Sequence, residues 1–140
     1  MKRDLMNNIH PVVAIAPVVV TNNAAEVSAA IDVRHYKSVT FVALMGTLAD
    51  ANATFAVTVK DGDTSTQGDH TEVEDKFLIG TEEDASFDFS ADGETRKIGY
   101  KGSSNYVSIE VTPSANTGNA PIAVLAILEP YEVPASNPPE

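Results

Sequence analysis

Alternation of apolar and polar positions with a period of two runs through most of the chain, the pattern of strands with one face buried. Glu26 to Val33 places Val27, Ala29, Ile31 and Val33 on one face and Glu26, Ser28, Ala30 and Asp32 on the other. Ala53 to Val59 points Phe55, Val57 and Val59 inward, and Asn105 to Thr112 does the same with Val107, Ile109 and Val111. Glu72 to Ile79 and Ala85 to Phe89 are shorter runs that offer Phe77, Ile79, Phe87 and Phe89 to a core. Two segments are apolar on both faces. SVTFVALM, Ser38 to Met45, is expected to cross a sheet centre and stop at Gly46, and PIAVLAIL, Pro121 to Leu128, to be a fully buried strand. Between Tyr100 and Asn105, KGSS reads as a hairpin turn with Gly102 supplying positive φ. Helical spacing is missing, and Asn22 to Ala30, which has a plausible helical start, reads equally well as a loop entering a strand. Eight or nine short strands at intervals of about a dozen residues predict an all-β, single-domain antiparallel β-sandwich, jelly-roll-like in its winding.

The two ends of the chain stand apart from this pattern. PVVAIAPVVV, residues 11 to 20, has no charged residue, amide or hydroxyl. It is too short to span a hydrocarbon core. A secretory signal is opposed by Asp4, Asn7, Asn8, His10 and the prolines at Pro11 and Pro17. Pro17 also excludes the run from the middle of a sheet, because proline has no N–H to donate. The expectation is an extended N-terminal arm over residues 1–23, a sandwich domain over 24–129, and a proline-rich tail over 130–140. Val12, Val13, Ile15, Val18, Val19 and Val20 of the arm, with Pro130, Tyr131 and Pro134 of the tail, are the expected partner contacts.

Charge and composition narrow the function. The chain of 140 residues suits one domain, and it has no cysteine, so disulfides and zinc-thiolate sites are excluded. A formal charge of -11 argues against nucleic acid as a partner. Twelve acidic residues and the single base Lys76 lie between Asp61 and Glu94, so that segment holds the whole excess. Its acids are expected on solvent-facing loops around Asp61 to Asp75 and Glu82 to Asp84. His10, His35 and His70 fall in separate segments without metal-binding spacing, and no serine sits in a nucleophile elbow. Paired carboxylates for hydrolysis would need an apolar setting that no acid here has. Neither a catalytic site nor a cofactor is expected.

DGDTSTQGDHTE sets Asp61, Asp63, Ser65, Asp69 and Glu72 at positions 1, 3, 5, 9 and 12 of an oxygen-rich loop, offsets that wrap calcium in an EF-hand. Thr66 stands where that turn needs glycine, and the flanks read as strands. A solvated acidic loop is the simpler reading, and a weak calcium site of another geometry is the alternative.

RDLMNNI followed by VVAIAP, the central DGDTSTQGD and FLIGTE, and RKIGYKGSSNYVSIEV before a last apolar strand resemble short proteins encoded in the virion structural modules of tailed bacteriophages and prophages. The resemblance runs from Arg3 to about Leu128 and includes a GYxGxxxYVxV-like signature at GYKGSSNYVSIEV. It implies a virion component. A capsid decoration, or cement, protein fits best: a small β body on the capsid surface that binds the major capsid protein in many copies, as a homo-oligomer that would be trimeric at a local threefold. A head-fibre base, a head-completion protein or a tail-tube subunit is the alternative within that setting. Outside it stands a secreted carbohydrate-binding sandwich, which requires Tyr36, Tyr100, Tyr106 and Tyr131 to cluster and be exposed.

Overall fold

The computed structural model describes residues 4–131. Two antiparallel sheets pack face to face. Sheet A runs β1 (His10–Val20), β11 (Ala120–Pro130), β4 (Tyr36–Met45), β9 (Thr95–Tyr100), β7 (Leu78–Ile79) in spatial order. In sheet B, β10 (Tyr106–Ser114) lies beside β5 (Thr54–Gly62), with β2 (Glu26–Val27) and β3 (Ile31–Asp32) on its other side. Beyond β5 come β6 (Thr71–Glu72) and β8 (Phe87–Asp88). The chain passes repeatedly from one sheet to the other, the alternation expected of a jelly-roll winding. The inward faces meet in one core, where Phe41, Ile98, Val124 and Leu128 of sheet A oppose Phe55, Val59, Val107, Ile109 and Val111 of sheet B. Phe55 and Phe87 stack at 4.9 Å with their planes 10° apart.

β1 corrects the expected arm. Residues 10–20 pair with β11 from His10↔Leu128 to Val20↔Ala120, forming the edge strand of the sandwich itself. Ile15 and Val20 are buried in the chain's own core, with Val12 and Val18 packed partly against it. The other expected partner contacts of this run, Val13 and Val19, do point outward. Pro17 acts as its chemistry requires: the strand is at an edge, and its register slips between Val13 and Ile15 and between Ile15 and Val18. At the far end Pro130 also belongs to a strand, opposite Tyr36, so the tail begins one residue later than expected. Tyr131 is exposed, and Pro134 lies outside the described residues.

Several local expectations change for identifiable reasons. Glu26 to Val33 is not one strand. Ser28 interrupts it, is buried, and its Oγ accepts a hydrogen bond from the Ile109 N–H at 2.9 Å, which leaves Val27 exposed. Glu72 to Ile79 breaks into β6, a 3-10 turn at Asp75–Phe77 and β7, so Val73 and Leu78 are buried while Phe77 and Ile79 are exposed. Phe87 is buried, whereas Phe89 is 45% exposed. The KGSS segment is not a hairpin, because β9 pairs in sheet A and β10 in sheet B. Gly102 is needed there for space: a Cβ would overlap the Tyr100 ring.

The acidic segment is also more than a solvated surface. It closes the edge of β5, whose outward N–H groups would otherwise be open to another strand. The Glu82 carboxylate accepts from the Val59 N–H at 2.7 Å, and the Ser86 hydroxyl oxygen accepts from the Val57 N–H at 2.9 Å. Thr81 caps the single helical turn α1 (Glu82–Ala85) by accepting from the Asp84 N–H. Burial holds the Glu82 carboxyl above the usual range, against the Val59 hydrogen bond that lowers it. Asp92 ties another loop, accepting from the Leu48 N–H at 2.7 Å.

Candidate functional site

Two surface features stand out. One is the outer face of sheet A. Alternation sends one side chain in and the next out along each strand. In β1, β11 and the second half of β4 the outward residues are themselves apolar: Val13 sits opposite Leu125, and Leu44 opposite Ala123, whereas Ser38, Thr40 and Glu129 make the other end of β4 and β11 polar. Val13 is 60% exposed, Val19 54% and Leu44 55%. The expectation that Pro121 to Leu128 is fully buried is therefore half right. Its inward residues are covered, while Leu125 is exposed in the middle of the sheet. At one end of this face a groove of about 430 Å³ runs between Val19, Leu44 and Pro121. At the far edge, Ile79 lies over Gly99, whose missing side chain leaves room for it.

The other feature is a cleft of about 520 Å³ between segments 33–39 and 100–105, at the end of the sandwich where β3 leads into β4. Tyr36 and Tyr100 line it. Arg34 lies 5.4 Å from the centre of the Tyr106 ring and Lys37 5.8 Å from that of Tyr131, so all four tyrosines gather at this end. Their exposure differs: Tyr131 is open, Tyr36 and Tyr106 are half-buried, and Tyr100 is buried.

Hydrogen bonds fix the cleft wall. The Tyr100 hydroxyl donates to Asp61 Oδ2 at 2.7 Å and accepts from the Ser104 N–H at 3.2 Å. Asp63 Oδ1 accepts from the Asn105 N–H at 3.1 Å, and the Val33 N–H donates to the Asn105 carbonyl at 3.0 Å. Asp32 accepts from the Arg34 guanidinium, which holds its carboxyl down at about 2.

These contacts decide how the calcium candidates are placed. Asp61 and Asp63 turn to the 100–105 loop, Asp69 approaches the Thr64 hydroxyl, and Glu72 lies in β6 opposite Lys60. Among the described residues no three carboxylate or imidazole groups converge as a metal site would require. The loop instead closes on His70, which its sequence setting predicts as a plain surface or loop residue and which is buried. One ring nitrogen of His70 is 2.9 Å from the Ser108 hydroxyl and the other 2.9 Å from the Thr64 carbonyl oxygen. That carbonyl can only accept, so Nε2 donates to it. His10 is buried beside Tyr36, their ring centres 5.4 Å apart, and His35 is exposed.

Burial, with the Asp61 carboxylate beside the hydroxyl, pushes Tyr100 up to about 12. An unfolded tyrosine ionises near pH 10, so between about 10 and 12 the folded chain keeps a proton that the unfolded chain loses. The stability this contributes is complete below about pH 10 and falls as pH rises towards 12, by about 1–3 kcal/mol. Urea titrations across that interval should show the decline, and Tyr100→Phe should flatten it. An identical decline in the variant would exclude Tyr100 as its source.

No protein-family model matches the sequence, and no curated protein does. Similar solved structures include a pilus subunit of Bacillus endospore appendages, with TM-score 0.46 and 8% identity over 89% of this chain and 90% of that one. The CBM22-1–GH10 modules of Clostridium thermocellum xylanase 10B align with TM-score 0.48 and 13% identity, over 94% of this chain but 28% of theirs. The CBM36-1 domain of a xylanase from the Trinervitermes trinervoides hindgut metagenome aligns with TM-score 0.42 and 11% identity, over 86% and 96% of the two chains. At these identities the chain is similar to them in its β-sandwich and in nothing finer.

Proposed function

We propose that the chain is a non-enzymatic structural module that acts by surface contact, and that it binds through the outer face of sheet A. One observation carries this reading: over β1, β11 and the second half of β4 the outward positions are apolar, Val13, Val19, Leu44 and Leu125 among them, where a solvated sheet would carry polar ones. Polar Ser38, Thr40 and Glu129 are confined to the other end of β4 and β11. At about 3.3 Å per residue and about 4.8 Å between strands, these three strands over roughly nine residues present about 430 Å² before side-chain relief. A standard interface takes roughly 800 Å² from each partner, so the face supplies about half of one and would be used in many copies. The acidic segment meets sheet A at β7, the edge opposite β1, and at the end of β4, where the Glu94 carbonyl accepts from the Met45 N–H, so β1 and β11 are the part of the proposed contact it leaves untouched.

The partner follows from the sequence resemblance: the shell of a tailed-phage particle, whose major capsid subunits this module would cement. Leu44→Lys with Leu125→Lys tests the face. Both side chains are exposed, so stability should change by less than about 1 kcal/mol, while occupancy on undecorated capsids should fall more than about tenfold. Undiminished occupancy of the folded variant would refute the assignment.

The gathering of the tyrosines at one end, where Tyr36, Tyr106 and Tyr131 keep exposed surface and only Tyr100 fails the exposure the reading requires, favours a second reading, a carbohydrate-binding sandwich. The two readings use different surfaces, so the lysine pair on sheet A should leave any sugar binding at the cleft intact.

A further inference from the structure

We propose that the cleft between segments 33–39 and 100–105 is a binding site for an acidic sugar, a pyranose ring that carries a carboxylate. This rests on the carbohydrate reading and narrows it to a ligand class.

The first reason is electrostatic. Lys37 and Lys101 both line the cleft, and among the described residues neither has a carboxylate in ion-pair contact. Two such lysines in one cleft are unexpected in a chain of charge -11, and the nearby wall carboxylates Asp61 and Asp63 are held by the Tyr100 hydroxyl and the Asn105 N–H. Arg34 differs from them, since Asp32 already neutralises it. The site therefore favours an anion, and its lysines offer point charges suited to one carboxylate.

The second reason is the rest of the wall. A simple anion would have no use for Tyr36, which is packed beside His10 and against the core on one side and adds a half-buried aromatic edge to the cleft lining on the other. Ser103, Ser104 and Asn105 place hydroxyls and an amide on the opposite side, able both to donate to and accept from sugar hydroxyls. At about 520 Å³ the cleft falls within the usual size range of small-ligand sites.

The third reason is rigidity. The 100–105 loop is tied to the body through Tyr100–Asp61, Ser104–Tyr100, Asn105–Asp63 and Val33–Asn105. Gly102 lets it lie directly on the Tyr100 ring. A wall already ordered before the ligand arrives loses little entropy when it binds.

The test is amide NMR on the full chain, titrated separately with digalacturonate, with neutral cellobiose and with sodium acetate. Digalacturonate should give saturable shifts in segments 33–39 and 100–105. Lys37→Gln with Lys101→Gln, both on exposed positions, should retain the folded spectrum and weaken binding by about tenfold or more. Chain truncated after Tyr131 should bind at least as well, since the ligand's contacts all come from the two segments. Equal binding of cellobiose would overturn the acidic-sugar assignment while leaving a carbohydrate role standing. Binding of acetate as tight as that of digalacturonate would show a plain anion site and overturn it too. If neither sugar shifts these amides, the proposal and the carbohydrate reading both fall.

Discussion

A chain that begins at residue 21 is expected to lose cooperative folding. Removing the first twenty residues deletes β1 and leaves β11, a central strand of sheet A, as an open edge from Ala120 to Leu128. Ile15 and Val20, both nearly fully buried, would leave the core, which at about 1.5–3 kcal/mol for each side chain costs roughly 3–6 kcal/mol. Val12, Ala14 and Val18 add partial burial to that loss. A domain of this kind has only about 5–15 kcal/mol in total, so the remaining sandwich would be marginal at best. Its exposed apolar strand would also template aggregation. A single broad, low-amplitude thermal transition by circular dichroism is the expected result. A sharp transition near that of the full chain would restore the reading of this segment as an external arm.

Phe41→Ala should be the most damaging single substitution of those considered, lowering stability by about 3–5 kcal/mol in urea denaturation. Phe41 is 1% exposed at the centre of β4, flanked in register by Ala126 of β11 and Ile98 of β9, which are themselves buried. Hydrogen-bonded ladders hold both neighbouring strands at fixed spacing, so the cavity cannot close by moving backbone. Phe89→Ala is the matched control. The period-two pattern assigns both aromatics to strands, yet Phe89 follows β8 in a 3-10 turn and is 45% exposed, so its loss should cost less than about 1 kcal/mol. A comparable loss at both positions would contradict the distinction the fold makes between them.

Phe41 and Phe89 also mark how far local pattern reaches. In Ala53 to Val59 and Asn105 to Thr112 both the strand and its inward face were legible, because the pleat links side-chain direction directly to sequence position, whereas the equally long alternation of Glu26 to Val33 was broken at Ser28. The pattern failed where a polar side chain takes over a backbone partner. Ser28 accepts from Ile109, and Glu82 and Ser86 accept from the β5 edge. Each such bond joins residues more than twenty positions apart, so no window of sequence contains both halves of it.

Composition and periodicity by themselves determined that this is an all-β sandwich, that residues 61 to 94 hold its excess charge, and that Pro17 keeps its strand out of a sheet middle. Tertiary structure alone decided which apolar face is covered. PVVAIAPVVV and PIAVLAIL are apolar on both sides, and a two-sided apolar strand looks the same in sequence whether a second layer covers its outer face or leaves it open. Here no described part of the chain covers the face around Val13, Leu44 and Leu125. The cleft was equally out of reach. KGSS carries the local signature of a hairpin, but Ile98 and Val107 each find the core from a different sheet, and burying both requires the chain to cross between layers. That crossing sets the 100–105 loop against Tyr36 and Lys37, and brings together tyrosines at positions 36, 100, 106 and 131 that sequence separation gives no reason to group.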